Sequence, residues 1–107
     1  MTIFALSSGL GTSGIAVIRV SGKEASTVIK LLTNKELPPQ KVASLRKINN
    51  INTSELIDEG IIIWFPGPKS YTGEDMAEIH VHGGKAVVLA VQKEISKIKN
   101  CGLADPG

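Results

Sequence analysis

The chain has 107 residues, of which 42% are hydrophobic, 21% are charged and 4% are aromatic, and its formal net charge is +2. This length allows one domain with one modest core, and the composition is typical of a globular protein, not of a disordered one. The small net charge does not indicate nucleic-acid binding, and the single cysteine, Cys101, excludes an internal disulfide and a cysteine-based zinc site.

The first predicted elements enclose a glycine-rich loop. Thr2–Ser7 is predicted as a strand, and Gly9, Gly11 and Gly14 then match the pattern G-x-G-x-x-G. A dinucleotide-binding turn requires a helix after the third glycine. The β-branched run Ile15–Val20 predicts a strand instead, so the loop needs a different explanation.

The rest of the chain alternates in part between helical and strand patterns. Ser21 and Glu24 have the spacing of a capping box, with Ser21 as the N-cap of a helix that runs to about Thr33. The further predicted elements are a weak strand at 42–48, a loop or hairpin tip at 49–53, a strand covered on both faces at 60–65, a loop at 66–73, a strand at 75–81, and a helix from 85 to about 100 whose buried stripe is Val88, Val91, Ile95 and Ile98. We expect an α/β fold of the α+β type: a single domain with a mixed β-sheet and helices packed on it.

The stretch EDMAEIHVHGGK at 74–85 has the densest chemistry. On a strand, Glu78, His80 and His82 would share one face. The two histidines could bridge one metal ion, but Glu78 and His82 would be roughly 13 Å apart, too far to share it. The alternative is that the histidines hydrogen-bond to neighbouring loops, and the sequence leaves their orientation open.

Glu78 and Arg19 each interrupt an apolar strand. A carboxylate in such a position needs a partner, and Arg19 is one of only two arginines in the chain. The pair is either a structural salt bridge or a ligand site. A pterin or guanine-type ring would suit the second alternative, because its adjacent N–H and NH₂ groups can both donate to one carboxylate.

Gly83 and Gly84 precede the last predicted helix. Free N–H groups at that helix N-terminus would favour an anion. The alternative is a tight strand-to-helix turn that needs glycine for backbone reasons.

Three stretches together carry a resemblance to a known family: GIAVIRVSG at 14–22, FPGPKSYTGEDMAEIHVHGG at 65–84 and ADPG at 104–107. They resemble the N-terminal domain of the tRNA uridine modification GTPases, the MnmE (TrmE) family. The resemblance covers nearly the whole chain and is weakest over 35–54. It implies a fold similar to the folate-binding domain of aminomethyltransferases.

The resemblance also implies a function. Domains of this family form a homodimer and bind a reduced folate, 5-formyltetrahydrofolate or 5,10-methylenetetrahydrofolate. The whole enzyme works with an FAD-dependent partner of the MnmG (GidA) family to modify C5 of the wobble uridine of tRNAs. It uses GTP, Mg²⁺ and K⁺ in a separate GTPase domain, and the implied location is cytoplasmic, without a membrane.

Carried over to this sequence, the family's folate contacts fall on Arg19 and Glu78, and we add His82, Gly83 and Gly84 as further candidates. The glycine loop would then be a turn that faces folate or a partner. No catalytic residue is expected in this fragment, and the chain lacks the phosphate-binding motif G-x-x-x-x-G-K-S/T, so it cannot bind GTP by that route. No metal ligand is expected, because the chain has no third histidine and no further cysteine to complete a metal site.

We therefore expect residues 1–107 to be the folate-binding and dimerisation fragment of a longer protein. Two alternatives stay open: a stand-alone half of a folate-dependent one-carbon transferase, and a structural interaction domain with a vestigial ligand site. A metal-dependent enzyme built on the two histidines is a further alternative.

Overall fold

The computed structural model describes residues 1–7, 14–68, 70 and 72–104. Strands form where apolar residues alternate or run continuously, and helices form where they recur three and four residues apart. In chain order the described elements are β1 (Thr2–Leu6), β2 (Ile15–Ser21), α1 (Ala25–Thr33), β3 (Ser44–Asn49), β4 (Leu56–Phe65), β5 (Met76–His82), α2 (Lys85–Ser96) and β6 (Cys101–Leu103).

The strands form one mixed sheet in the order β3-β4-β5-β2-β1-β6. β6 runs parallel to β1, and the other neighbours are antiparallel. This confirms the predicted α+β domain with a mixed sheet. Among the described residues, no helix is long and apolar enough to cross a membrane.

Both helices contribute their apolar stripes to a single core on one face of the sheet. The core-facing side chains of the two central strands are Ala16, Ile18, Val20, Ala77, Ile79 and Val81, all nearly inaccessible to water. The opposite face, which we call the open face, has no helix of the described chain upon it. Its side chains on the four inner strands include Ile3, Ala5, Ile15, Val17, Arg19, Ile61, Ile63, Glu78, His80 and His82.

The predicted capping box at Ser21 is wrong. β2 continues through Ser21, which pairs with Ile3 on one side and Met76 on the other, so its backbone belongs to the sheet ladder. Glu24 is the N-cap of α1, and its N–H donates to the Oγ1 atom of Thr2 at 2.8 Å. The cap therefore comes from another strand, which local spacing cannot reveal.

Two element boundaries and one additional strand also differ from the prediction. β4 begins at Leu56, and its buried and half-buried residues alternate from Gly60 on, so it is fully covered on one face only. α2 ends at Ser96, where the N–H groups of Lys97 and Ile98 turn to carbonyls three residues back. Ile98 is buried beyond the helix, and the chain then forms β6, which was not predicted because three residues are too few for a periodic pattern.

Candidate functional site

The open face carries the charged residues that interrupt the central strands. Because side chains alternate along a strand, Glu78, His80 and His82 of β5 lie on this face together. Arg19 lies on the same face of β2, and the strand register places it directly opposite Glu78. The structure thus brings together the two principal residues that the sequence singled out.

Glu78 holds two partners through its two carboxylate oxygens. Arg19 donates from Nε to Oε2 at 3.1 Å, and Nε2 of His80 lies 3.0 Å from Oε1. The exposed fraction of the side chain is 16% for Glu78, 27% for His80 and 42% for Arg19. A carboxylate has about four lone-pair sites, so Glu78 can accept further hydrogen bonds while it keeps both partners. We call Arg19, Glu78 and His80 the Glu78 cluster.

Apolar side chains flank the Glu78 cluster on the neighbouring strands. Ile63 of β4 is opposite Glu78, whereas Ile61 of β4 and Val17 of β2 are on either side of His80. These three side chains are partly buried. Hydrogen bonds are electrostatically stronger where apolar groups displace water. The arrangement suits a flat, largely apolar ligand with a polar edge.

His82, at the end of β5, pairs with a residue that the sequence analysis did not single out. Asp58 of β4 accepts a hydrogen bond from the backbone N–H of His82 at 2.9 Å, and both of its carboxylate oxygens lie within 3.0 Å of Nδ1. The Asp58 side chain is 13% exposed and that of His82 is 68% exposed. Burial acts to raise the pKa of Asp58, but the hydrogen bonds from the backbone and ring of His82 outweigh it and lower the pKa below its ordinary value. Asp58 is therefore an anion at neutral pH.

Gly60 allows β4 and β5 to approach closely between these two groups of polar residues. A Cβ atom built on Gly60 would lie 2.1 Å from the carbonyl oxygen of His80. Any other residue would push the strands apart, because that distance is far inside van der Waals contact. The close approach thus depends on a glycine in the interior of β4.

Gly83 and Gly84 connect β5 to α2. Gly84 is the N-cap, with φ −65° and ψ 142°, and no side chain caps the helix. A Cβ on Gly84 would meet no atom within 4 Å, so neither backbone conformation nor crowding demands glycine there. The backbone explanation offered for this glycine is therefore wrong for Gly84. Gly83 is buried, and its N–H donates to the carbonyl of Gly14 at 3.0 Å.

The two histidines turn to separate carboxylates, His80 to Glu78 and His82 to Asp58. Within the described ranges, no three histidine, cysteine, aspartate or glutamate residues are grouped to hold a metal ion.

Burial, with a contribution from the Glu24 carboxylate, raises the pKa of the Cys101 thiol. Cys101 is therefore a protonated thiol at neutral pH.

A cleft of about 600 Å³ lies elsewhere, between the start of β1, the start of α1 and the loop before β5. Of the described residues that line it, none belongs to the Glu78 cluster or to the pair of Asp58 and His82. Gly9 and Gly11, for which the sequence predicts a turn facing folate or a partner, lie outside the described residues.

Sequence reasoning missed Asp58 because the predicted strand began at Gly60, two residues later. The only sequence feature that could have pointed to Asp58 is its position as an acidic residue next to a strand rich in isoleucine. It becomes meaningful only when the pairing of β4 with β5 brings Asp58 to His82.

The sequence matches the family described as GTP-binding protein TrmE N-terminus over residues 2–107. It is 73% identical over 107 residues to the tRNA modification GTPase MnmE of Pelagibacter ubique, covering all of this chain and 24% of that protein. It is 46% identical to the MnmE of Zymomonas mobilis, covering 99% of this chain and 24% of that protein. It is also 46% identical to the human mitochondrial 5-taurinomethyluridine tRNA synthase subunit GTPB3, with 99% and 22% covered. The chain thus spans about a quarter of the length of these relatives.

Proposed function

This chain belongs to the family of GTP-binding protein TrmE N-terminal domains, and on that basis we propose that it is the reduced-folate-binding and homodimerisation domain of a tRNA-modifying GTPase. In this proposal the whole protein acts with an FAD-dependent partner of the MnmG type on C5 of the wobble uridine. GTP, Mg²⁺ and K⁺ would be bound by another domain, because the phosphate-binding motif does not occur in these 107 residues. The expected likeness to the folate-binding domain of aminomethyltransferases belongs to the same proposal.

The observation that carries the folate proposal is the Glu78 cluster. The pyrimidine edge of a reduced folate presents an N–H and an NH₂ group side by side, which match the two oxygens of one carboxylate. Glu78 is mostly shielded from water and retains lone pairs beyond those used by Arg19 and His80. Arg19 donates to Oε2 and places a positive charge beside the carboxylate that would accept from the ligand.

The apolar surroundings fit the rest of such a ligand. Val17, Ile61 and Ile63 would contact the faces of a fused ring, while its polar edge turns to Glu78. When bound, the reduced folate would supply the one-carbon unit. The chain's own part is to orient the ring and to exclude water from its polar edge.

The same open face supports the homodimer proposal. Ile3 and Ile15 on this face, and Leu45 on the adjacent edge strand β3, are each about half exposed or more. They are spread over the sheet, since Ile3 pairs with Ser21 at one end of β2 and Ile15 lies at the other end. Burial of exposed apolar side chains against a partner is favourable. A second copy laid over the open face would cover these side chains and enclose the Glu78 cluster. Sedimentation of the wild type and of Ile15→Glu tests this: the variant should be the more monomeric of the two.

The folate proposal is tested by calorimetric titration of 5-formyltetrahydrofolate into the wild-type chain, Glu78→Gln and the control Glu55→Gln. Gln keeps the shape of Glu78 but replaces one acceptor oxygen by a donor. Loss of a hydrogen bond to a charged acceptor costs about 1.5–3 kcal/mol, which corresponds to roughly 10–100-fold weaker binding. Glu55 is exposed at the hairpin tip, so its variant should bind like the wild type.

Equal affinities of the wild type and Glu78→Gln would remove Glu78 from the site. Absence of folate binding by the wild type would favour a structural interaction domain with a vestigial site over the proposed function.

A further inference from the structure

We propose that Asp58 is a positioning residue that holds His82 with its proton on Nδ1, so that Nε2 is presented as a second hydrogen-bonding contact for the ligand of the open face. This inference rests on the proposed function for its ligand, a reduced folate. It adds Asp58, which the sequence analysis did not single out, and it specifies which nitrogen of His82 makes the contact.

The first step is the direction of the hydrogen bond. The hydrogen bonds from His82 lower the pKa of Asp58 despite its burial, so Asp58 is ionised at neutral pH. An ionised carboxylate can only accept hydrogen bonds. The contacts from Nδ1 to its carboxylate oxygens, at 2.8 and 3.0 Å, therefore require a proton on Nδ1. In a neutral imidazole the other nitrogen, Nε2, must then be an acceptor.

The second step is rigidity. Asp58 accepts from the backbone N–H of His82 as well as from its ring, so one half-buried carboxylate holds both the main chain and the side chain. An exposed histidine on a strand would otherwise rotate among its allowed side-chain conformations. Here the ring is 68% exposed although one edge is held, so the opposite edge is accessible to a ligand.

The third step is placement. His82 lies four residues from Glu78 on the same strand and the same face, a span on the order of 13 Å. A folate has a fused ring followed by an aminobenzoyl arm, so a single molecule is long enough to extend from one residue toward the other. Its reduced ring and its arm carry secondary N–H groups, which are the donors that an acceptor at Nε2 would select.

A purely structural role for the pair is the competing explanation, since Asp58 also connects the start of β4 to the end of β5. Two variants separate the explanations. Asp58→Asn keeps the shape but turns an NH₂ group toward Nδ1, which would place the proton on Nε2. His82→Asn keeps an amide near the position of Nδ1, and thus the contact with Asp58, but has no atom at the position of Nε2.

The first measurement is the tautomer of His82, determined from long-range ¹H–¹⁵N spectra recorded at neutral pH. The chain has only two histidines, so His82→Asn assigns the signals. We expect the Nδ1–H tautomer in the wild type and the Nε2–H tautomer in Asp58→Asn. An Nε2–H tautomer in the wild type would overturn the inference whether or not folate binds.

The second measurement is calorimetric titration of 5-formyltetrahydrofolate into the wild type, Asp58→Asn, His82→Asn and the control Glu55→Gln. Glu55 is an exposed carboxylate that precedes β4. Loss of one neutral hydrogen bond corresponds to roughly 3–10-fold weaker binding in Asp58→Asn and His82→Asn, with the control unchanged. Folding of each variant is checked by its ¹H–¹⁵N amide spectrum.

The outcomes separate the two proposals. Wild-type affinity in both Asp58→Asn and His82→Asn would overturn this inference and leave the folate function intact. Failure of the wild type to bind would overturn the folate function and the ligand contact of His82 together. The tautomer measurement would then still decide whether Asp58 positions the ring.

Discussion

Glu94 provides the sharpest test of the forces that hold this fold together. Glu94 is a carboxylate on the buried stripe of α2, and it is only 3% exposed. It accepts a hydrogen bond from the backbone N–H of Ile51 at 2.9 Å and from Nζ of Lys97 at 2.8 and 2.9 Å. This carboxylate therefore fastens the turn between β3 and β4 to α2.

The expected cost of replacing Glu94 follows from these contacts. Glu94→Ala leaves the Ile51 N–H without its partner, which costs about 1–3 kcal/mol, and also removes the pairing with Lys97. Lys97 is about one-third exposed, so water replaces much of what it loses. We expect Glu94→Ala to lower the free energy of unfolding by about 2–4 kcal/mol, and Glu94→Gln, which keeps an acceptor for Ile51, by about 1–2 kcal/mol at pH 7.

The effect should depend on pH with a definite sign. Burial acts to raise the pKa of Glu94, but the hydrogen bonds from Lys97 and Ile51 outweigh it and hold the pKa below the ordinary value of 4.5. A carboxyl whose pKa is lowered on folding stabilises the protein fully above its unfolded pKa and loses that contribution as the pH falls through its folded pKa. The difference between the wild type and Glu94→Gln should therefore shrink as the pH falls below about 4.5.

Urea denaturation followed by the fluorescence of Trp64 measures these free energies, since Trp64 is the single tryptophan and is buried in the core. Glu55→Gln, at an exposed carboxylate of the same hairpin, is the matched control and should leave the midpoint unchanged. The reasoning would be refuted if Glu94→Gln were as stable as the wild type at pH 7. It would also be refuted if the deficit persisted undiminished well below pH 4.

Two further substitutions test backbone contacts. Gly60→Ala should lower the free energy of unfolding by about 2–4 kcal/mol, because its Cβ would meet the carbonyl of His80 and separate β4 from β5. If urea titration showed the variant to be as stable as the wild type, the close approach would be contradicted. Thr2→Val should cost about 1 kcal/mol in a thermal melt, because the Glu24 N–H at the start of α1 loses its acceptor. Thr2→Ser, which keeps the hydroxyl, should retain most of that stability, and equal losses in both variants would exclude the cap as the cause.

Much of the candidate site was predictable because strand alternation is a local rule. Alternation along β5 predicts that Glu78, His80 and His82 share a face, and they do. Arg19 could be proposed as the partner of Glu78 because each charge interrupts an apolar strand, and few other arginines are available. Asp58 could not be found in this way, since its contact with His82 depends on how two strands that are 10 residues apart in the chain pair with each other.

The incorrectly predicted helix cap at Ser21 and the buried carboxylate of Glu94 on α2 both depend on contacts with other elements of the fold. Ser21 has the spacing of a capping residue, but it belongs to β2 and pairs with β1 on one side and β5 on the other. Glu94 breaks the apolar stripe of α2, yet it is buried because the turn at Ile51 and the side chain of Lys97 satisfy its oxygens.

By itself, the sequence determined the class of the fold, most of its strands and both helices, the resemblance to a family, and the two charges on which the proposed site depends. These follow from side-chain periodicity and from residue types at short spacing, which act within a few residues along the chain. Only the tertiary structure decided that one sheet face stays open, that Glu78 takes both Arg19 and His80, and that Asp58 holds His82. Those contacts depend on strand order and register, because the hydrogen bonds that satisfy a shielded charge come from residues far apart in the chain.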